Sequence, residues 1–530
     1  MVDIHNTQLH EVLDRMPDKH RGPGGVAGIV KDGRIIATRA WGYSNLSNHQ
    51  AMTENTRLPI CSISKQFTCG VLLDKIAQVD RLDSRIKEFL PEFTGQLPTV
   101  KELCHNQSGL RDYWALSILQ GATAEQTFER SDALPLLAKM KTGQFEPGTK
   151  YSYCNGNFRI LSELIETETG ESMEDLYFES IWKPAAMHNT VLNSDTRFPT
   201  DNVVGYEGNE NTGFFPADNG IYWIGDAGIA ASLKDMLAYE IWIDKNRDDI
   251  NGLYQRISKQ TMFRDGTPAS YGYGLAHHTI SGIKITGHGG ALRGFRAFRL
   301  HAAEERLSIV VMCNHEANTF GAAVSILQAA LGIKKPVPKP IQGSWGAQWI
   351  CRETSLLVRL EINKLQGVLD FATTPDDLVL GADGTLEAEG VRLISDKDNL
   401  IMHRDSENMR TTLDPLPLDT GAIDPDIAGR YEAEELGAFI EIEVRDGGVY
   451  GRTEGMLGFG IMERLHPVGP DTWVMCTKRS MDAPAPGDWT LCLKRDHTGS
   501  ITGFLLGCWL ARQIDYKKSC LLYTSPSPRD

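Results

Sequence analysis

The chain has 530 residues, 41% of them hydrophobic and 23% charged. That length exceeds one ordinary core and that composition excludes wholesale disorder, so roughly two to four folded domains are expected. A formal net charge of −15 opposes binding to nucleic acid or to an anionic membrane surface, because both would repel the average field of the molecule.

The opening residues 1–21 show no basic region followed by an apolar run, so no export signal is expected and the cytoplasm is the expected compartment. No stretch of 18 apolar residues occurs, which argues against a membrane span. The first clear element is GGVAGIVKDGRIIATRAWGYSN, residues 24–45, whose alternation around Lys-Asp-Gly-Arg predicts a β-hairpin. Then comes ICSISKQFT, residues 60–68. After Pro59, the apolar residues Ile63, Phe67 and Val71 recur at helical spacing, which puts Ser62 at the start of a buried helix with Lys65 on the same face. Alone, this Ser-x-x-Lys has two readings: a hydroxyl beside an amine that can activate it, or a helix N-cap with a solvated lysine.

Helical patterns follow over 155–170 and 232–243. The first is preceded by a Pro-Gly turn and by Tyr153-Cys154-Asn155 at a loop-to-helix junction. Further on, TGHGGALRGFRAF sets His288-Gly289-Gly290 at the edge of a predicted strand, where glycines let another backbone approach. ERLSIVVMCNHEA reads as a buried strand, with a helix near 318–331 after it. The mixture predicts an α+β domain over residues 1–333, with terminal strands in one sheet.

Three prolines within 336–340 force an extended linker, and DPLPLDTGAIDPD at 414–426 marks a second break. Strand-like runs between Gly/Asp turns predict two antiparallel β-barrel modules, residues 341–416 and 424–518. A faint repeat agrees: Gly343-Ser344-Trp345 and Gln366-Gly367-Val368 are echoed by Gly429-Arg430-Tyr431 and Gly447-Gly448-Val449. Within the last module TKRSMDAPAPGDWT is a stiff excursion, and its residues 479–487 are long enough to reach the active site of the first domain. Residues 519–530 break with everything before them and read as a non-native tail. Ten cysteines without CxxC pairing suit reduced, mostly buried thiols. His105, His277 and His278 have no second ligand at metal spacing, so neither a metal nor another cofactor is expected, and activity is expected to survive chelation.

The set Ser62-x-x-Lys65, Tyr153-Cys154-Asn155 and His288-Gly289-Gly290, in this order, resembles the penicillin-recognising serine hydrolases. That family includes class C β-lactamases, D-Ala-D-Ala carboxypeptidases, related esterases and D-aminopeptidases. ELCHNQSGLRDY (102–113), GDAGIAASLKDM (225–236) and YGYGLAHH (271–278) match as well, so the resemblance spans about residues 10–330. It implies a β-lactamase-like domain, an antiparallel sheet flanked by helices. It also implies Ser62 as the acylated nucleophile, with Lys65 or Tyr153 as its base. Tyr153 would relay a proton to the leaving amine, and Asn155 would orient Lys65. The amides of Ser62 and Ala291 would hold the oxyanion, beside Gly289 and Gly290. Ser64 has nothing spaced to activate it.

One departure is informative. Carboxypeptidases and most β-lactamases carry Lys-Thr-Gly where this chain has His288-Gly289-Gly290, and a neutral histidine holds a substrate carboxylate poorly. Together with the two β modules and the missing export signal, this points toward the D-aminopeptidase branch. The substrate expected there is a small peptide or amide with an N-terminal D-residue such as D-Ala, Gly or D-Ser, the D-selectivity being implied by the resemblance alone. Asp482 would then meet the substrate's ammonium, with Asp488 second. An esterase or amidase without amine specificity, a β-lactamase-like activity and a non-enzymatic sensor are the other readings. A homodimer is the usual assembly for such a size.

Overall fold

Antiparallel pairing starts at a tight turn. Asp32 and Gly33 have φ of 50° and 71°, the left-handed pair that matches strand twist in a two-residue hairpin. They join Gly24–Lys31 to Arg34–Asn45, with Lys31 facing Arg34. The computed structural model describes residues 4–334, 338–343, 345–418, 422–477, 479–482 and 487–519. Parts of the expected linker (335–337), the Ser344 echo, the second break (419–421), the tip of the excursion (483–486) and the tail from 520 lie outside these residues.

The hairpin belongs to an eight-stranded sheet. From one edge to the other the strands are Gln50–Ala51, Arg34–Asn45, Gly24–Lys31, Leu307–Cys313, Phe295–Ala302, Ile283–Leu292, Leu275–Ile280 and Tyr271–Gly272. Strands from the two ends of the domain therefore meet in its middle, Val26 facing Met312. Helices cover both faces, which is why Gly24–Lys31 is buried along almost its whole length. On one face, Leu9 and Leu13 of Ile4–Asp14 and Ile326 and Leu327 of Thr319–Ala330 pack on Ile29 and Ile309. The other face receives Leu237 of Leu233–Lys245 and, beyond it, a helical lobe built around Ser64–Lys75.

Local chemistry sets the ends of the lobe's helices. A capping box of Thr99 and Glu102 starts Val100–Cys104, the Asp112 side chain caps Tyr113–Leu119, and Asn155–Thr169 stops at Gly170 with φ 73°. Among the described residues no helix is long and apolar enough to cross a membrane.

Two eight-stranded antiparallel barrels follow. The first runs from Gln348–Cys351 to Met409–Pro415 and closes on itself, Ile350 facing Asp414. The second runs from Gly429–Ala433 to Ala511–Lys518 and closes through Tyr431 facing Lys518, with Gly458–Phe459 as an added edge strand. Closure removes the exposed sheet edges that would otherwise recruit other chains. Gly367 and Gly448 each open the third strand of their barrel, so that half of the echo falls at equivalent places; Gly429 opens the first strand of its barrel, whereas Gly343 precedes Gln348–Cys351. The second barrel docks on the helical lobe around Gln120, whose Nε2 donates to Leu436 O (2.7 Å) and whose Oε1 accepts from Met456 N (2.9 Å).

One buried ion pair ties helix to sheet. Arg299 Nε and Nη2 donate to the two carboxylate oxygens of Glu240 at 2.7 Å, both side chains being 0% exposed. Arg299 faces His288 on the neighbouring strand. Substituting Glu240→Ala leaves a guanidinium buried and unpaired, and the first domain is expected to lose about 3–5 kcal/mol. Urea unfolding followed by tryptophan fluorescence checks this, and an unchanged midpoint would refute it.

Candidate active site

Pro59 ends a short strand, Leu58–Pro59, and Cys61 takes φ 50°, so the chain turns sharply into the 3-10 turn Cys61–Ile63. Helix Ser64–Lys75 continues directly from it. Ser62 does not cap that helix: the N-cap position is Ile63, without a side-chain bond. The Ser62 hydroxyl lies instead 2.9 Å from Lys65 Nζ. Ser64 is elsewhere engaged, its Oγ accepting from Ile229 N.

Lys65 is wholly buried. Its Nζ donates to Asn155 Oδ1 and to the backbone carbonyl of Asp226, each at 2.8 Å. Burial brings its pKa down to about 8, against the opposing pull of Asp226, Asp112 and Asp482. A neutral amine has two N–H bonds and one lone pair. Two fixed carbonyl acceptors take the hydrogens, which leaves the lone pair for the Ser62 hydroxyl.

The partners of the lysine are themselves held. Asn155 is the first residue of Asn155–Thr169, and its Nδ2 and backbone N both donate to Asp112 Oδ2, at 2.9 and 2.6 Å. Burial raises the Asp112 pKa to about 6. Asp226 Oδ2 accepts from Tyr113 OH (2.9 Å), and burial raises that carboxyl too.

Burial holds the Tyr153 hydroxyl well above the ordinary range, with the neighbouring Ser62 pulling the other way. The Lys65 amine stands 5.0 Å from the Tyr153 ring centre. His288 lies 6.0 Å from the same ring, centre to centre. A carbonyl can only accept, so His288 Nδ1–H donates to Gly289 O (2.5 Å) and Nε2 accepts from Tyr271 OH (2.9 Å). Burial and the nearby Lys65 lower the His288 pKa to about 3. The ring is neutral with both nitrogens occupied, and it offers no cation to a substrate carboxylate.

The strand Ile283–Leu292 gives the site an open edge. Leu275–Ile280 pairs with it only as far as Gly287, whereas Phe295–Ala302 follows it to Leu292. The segment His288, Gly289, Gly290, Ala291 thus has one ladder side unpaired. Gly290 abuts the Ser62 turn so closely that a Cβ there would sit 2.3 Å from Ile60 O. The two amides expected to hold an oxyanion, those of Ser62 and Ala291, belong to these two abutting segments.

The second barrel also enters. Asp482 O accepts from Arg293 N (2.9 Å), just beyond the open edge, and Asp482 Oδ1 accepts from Ser480 Oγ (2.8 Å). Burial and the charge of Asp112 raise the Asp482 pKa to about 7. Arg479 anchors this segment to Glu316 (2.6 Å) and Glu207 of the first domain. Asp488 goes elsewhere: it pairs with Arg359 of the first barrel at 2.7 Å.

Sequence reasoning gave no role to Asp112, Asp226 or Tyr271. Each sits in a stretch read as family-like, and the signal for Asp112 was an acid immediately before a helical run, Tyr-Trp-Ala-Leu.

The two glycines of His-Gly-Gly should respond differently to substitution. Gly290→Ala forces the Ser62 turn away from the strand and is expected to lower kcat/KM by about 100-fold or more. At Gly289 a Cβ meets nothing nearer than the Phe298 ring at 3.5 Å, and Gly289→Ala is expected to keep most activity. Steady-state kinetics on both variants decides, and equal losses would contradict this account.

Residues 9–332 match the beta-lactamase family, and residues 340–517 match domain B of D-aminopeptidase. A D-aminopeptidase of Cereibacter sphaeroides (strain KD131) is 59% identical over 510 residues, covering 96% of this chain and 98% of the relative. One from Brucella melitensis biotype 2 is 45% identical over 521 residues, covering 98% of this chain and 100% of the relative. Among solved structures, the octameric penicillin-binding protein homologue from Pyrococcus abyssi has a TM-score of 0.54 at 17% identity, over 86% of this chain and 98% of that one. The D-amino acid amidase from Ochrobactrum anthropi SV3, complexed with D-phenylalanine, gives 0.51 at 17% identity, over 63% of this chain and 100% of that one. These two structures speak to the fold alone. The curated relatives match along nearly the whole chain, both domain types included, and on that ground the protein belongs to the D-aminopeptidase family of beta-lactamase-type hydrolases.

Proposed function

We propose that the protein is a serine D-aminopeptidase that releases small N-terminal residues, D-Ala, Gly or D-Ser, from peptides, amides and esters through a Ser62 acyl-enzyme. The observation that carries this reading is the buried Lys65 amine, 2.9 Å from the Ser62 hydroxyl with its N–H bonds directed elsewhere. In its neutral form Lys65 removes the Ser62 proton as Oγ attacks the substrate carbonyl. The oxyanion forms between the Ser62 and Ala291 amides. Tyr153, whose raised pKa keeps it protonated, gives its proton to the leaving nitrogen and recovers one from the Lys65 ammonium. Water then cleaves the ester, with the same groups returning the protons.

Specificity for a free amine is supported by charge. Three carboxyls, Asp112, Asp226 and Asp482, bear on Lys65, and each raises its pKa. Asp482 lies just past the open strand edge, where the substrate's ammonium would sit. A neutral His288 removes the cation that would favour a carboxylate. Preference for the D-configuration is supported by the relatives' name.

Hydrolysis of D-Ala-p-nitroanilide, L-Ala-p-nitroanilide and N-acetyl-D-Ala-p-nitroanilide by wild type and Ser62→Ala tests the reading. Cleavage of the free D-amine alone, lost in Ser62→Ala, is expected. Turnover of the acetylated compound would favour an esterase or amidase without amine specificity. Asp482→Ala is expected to raise KM for the free amine by about 30-fold, roughly 2 kcal/mol, leaving the high-pH plateau of p-nitrophenyl acetate hydrolysis unchanged while its acid limb moves to lower pH, since Asp482 also raises the Lys65 pKa.

The pH dependence separates the two roles. Lys65 must lose its proton, so kcat/KM for p-nitrophenyl acetate should rise through about pH 8 to a plateau. For a free-amine substrate, Asp482 must also be ionised, near pH 7, and the α-amine must stay protonated, below about pH 8. That profile should be bell-shaped, and a plateau with both substrates would remove Asp482 from amine binding.

A further inference from the structure

The carboxylate of Asp112 touches neither the nucleophile nor the substrate region, yet it takes four hydrogen bonds. Oδ1 accepts from Trp114 N (3.0 Å) and Ala115 N (3.3 Å) and so caps helix Tyr113–Leu119. Oδ2 accepts from Asn155 N (2.6 Å) and Asn155 Nδ2 (2.9 Å). An amide side chain can be seated either way round, and its oxygen and nitrogen have nearly the same size. Asn155 can present an acceptor to Lys65 only while its NH₂ points the other way. An acceptor-only carboxylate on that far side enforces this seating, because the flipped amide would set oxygen against oxygen.

We propose that Asp112 is a positioning residue for the hydrolytic reaction: by holding the Asn155 amide one way round, it keeps an acceptor on Lys65 Nζ and so aims the lysine lone pair at Ser62. A flipped Asn155 would turn NH₂ toward the amine. Lys65 would keep one fixed acceptor, the Asp226 carbonyl, and its lone pair would no longer be directed. Asp112 is held from outside the hydrolase domain as well. Its backbone N donates to Leu510 O (3.0 Å) in the turn before Ala511–Lys518, and next to it Arg111 Nε donates to Arg512 O (3.0 Å). The second barrel thereby clamps the residue that seats Asn155.

This inference rests on the Ser62–Lys65 reading but not on amine specificity, so its test uses p-nitrophenyl acetate and fluorophosphonate labelling of Ser62 alongside D-Ala-p-nitroanilide. The informative variant is Asp112→Ser, which keeps a good helix cap and lacks the second oxygen that Asn155 uses. Its melting temperature should stay near that of wild type, while kcat/KM and the labelling rate fall by about 100-fold. Asn155→Ala should lose a similar factor. In the Asn155→Ala background, adding Asp112→Ser should cost less than about 3-fold further, because the two residues act in series.

The pH profile supplies a readout that a purely structural role would not move. Lys65 is faced by Asp112 from the start of Tyr113–Leu119, by Asp226 ahead of Ile229–Ala231, by Asp482 from the second barrel and by Cys61 from its own turn. The His288 ring is also near enough to feel the lysine. Removing the Asp112 charge takes away one influence that raises the lysine pKa, so the acid limb of the p-nitrophenyl acetate profile should move to lower pH. Multiplicative losses in the double variant, or full activity in Asp112→Ser, would overturn the proposal. If Asp112→Ser does not fold, Asp112→Asn with the same double-variant comparison decides in its place. Failure of wild type to cleave D-Ala-p-nitroanilide while Ser62 still labels would instead count against the aminopeptidase reading.

Discussion

The site is organised around a lysine that water cannot reach. An amine at that depth has to give up much of its basicity or find charge of the opposite sign, and here both occur. Burial drives the Lys65 pKa down, three carboxyls pull it back, and the balance falls at about 8. Much of the surrounding structure follows from keeping that balance. The helix carrying Lys65 is buried from Ser64 to Leu72, so no solvent competes for Nζ. The start of Asn155–Thr169 and the Asp226 carbonyl, from two other parts of the lobe, take its N–H bonds.

The position of Ser62 is set by backbone geometry. Cys61, strained to φ 50°, turns the chain so that Ser62 faces the lysine one helical turn later, and Gly290 lets the open strand edge lie against that turn. The second barrel then adds two attachments. One is the Arg479–Asp482 segment at the end of the strand, locked by ion pairs to Glu207 and Glu316. The other is the Leu510 contact beneath Asp112. A closed barrel suits such work, since its core fixes the turns at its rim.

Local features of this arrangement were legible in the sequence. The Asp-Gly hairpin, the helices near 155–170 and 232–243, the strand after Arg306 and the helix near 318–331 follow from periodicity and turn chemistry, and the structure has them. The Ser-x-x-Lys pair was legible because three residues is one helical turn. Contacts across long separations were not. Asp112 meets Asn155 across 43 residues, and Lys65 meets the Asp226 carbonyl across 161. A backbone carbonyl carries no side-chain signature at all. Asp482 and Asp488 looked alike as acids flanking a proline-rich excursion. Only tertiary packing separates one beside Arg293 N from one paired with Arg359.

The histidine at position 288 fits the same electrostatics. A lysine ammonium there would lie close enough to Lys65 for the two charges to interact, as the lowered pKa of His288 already shows. Such a neighbour would depress the Lys65 pKa further. A neutral imidazole, fixed by Tyr271 and Gly289 O, does not. The carboxyls around the site, Asp112, Asp226 and Asp482, then outnumber its one lysine. A position that looks minor in the sequence therefore sets the balance of buried charge around Lys65, and the proposed preference for an incoming ammonium rests on that balance.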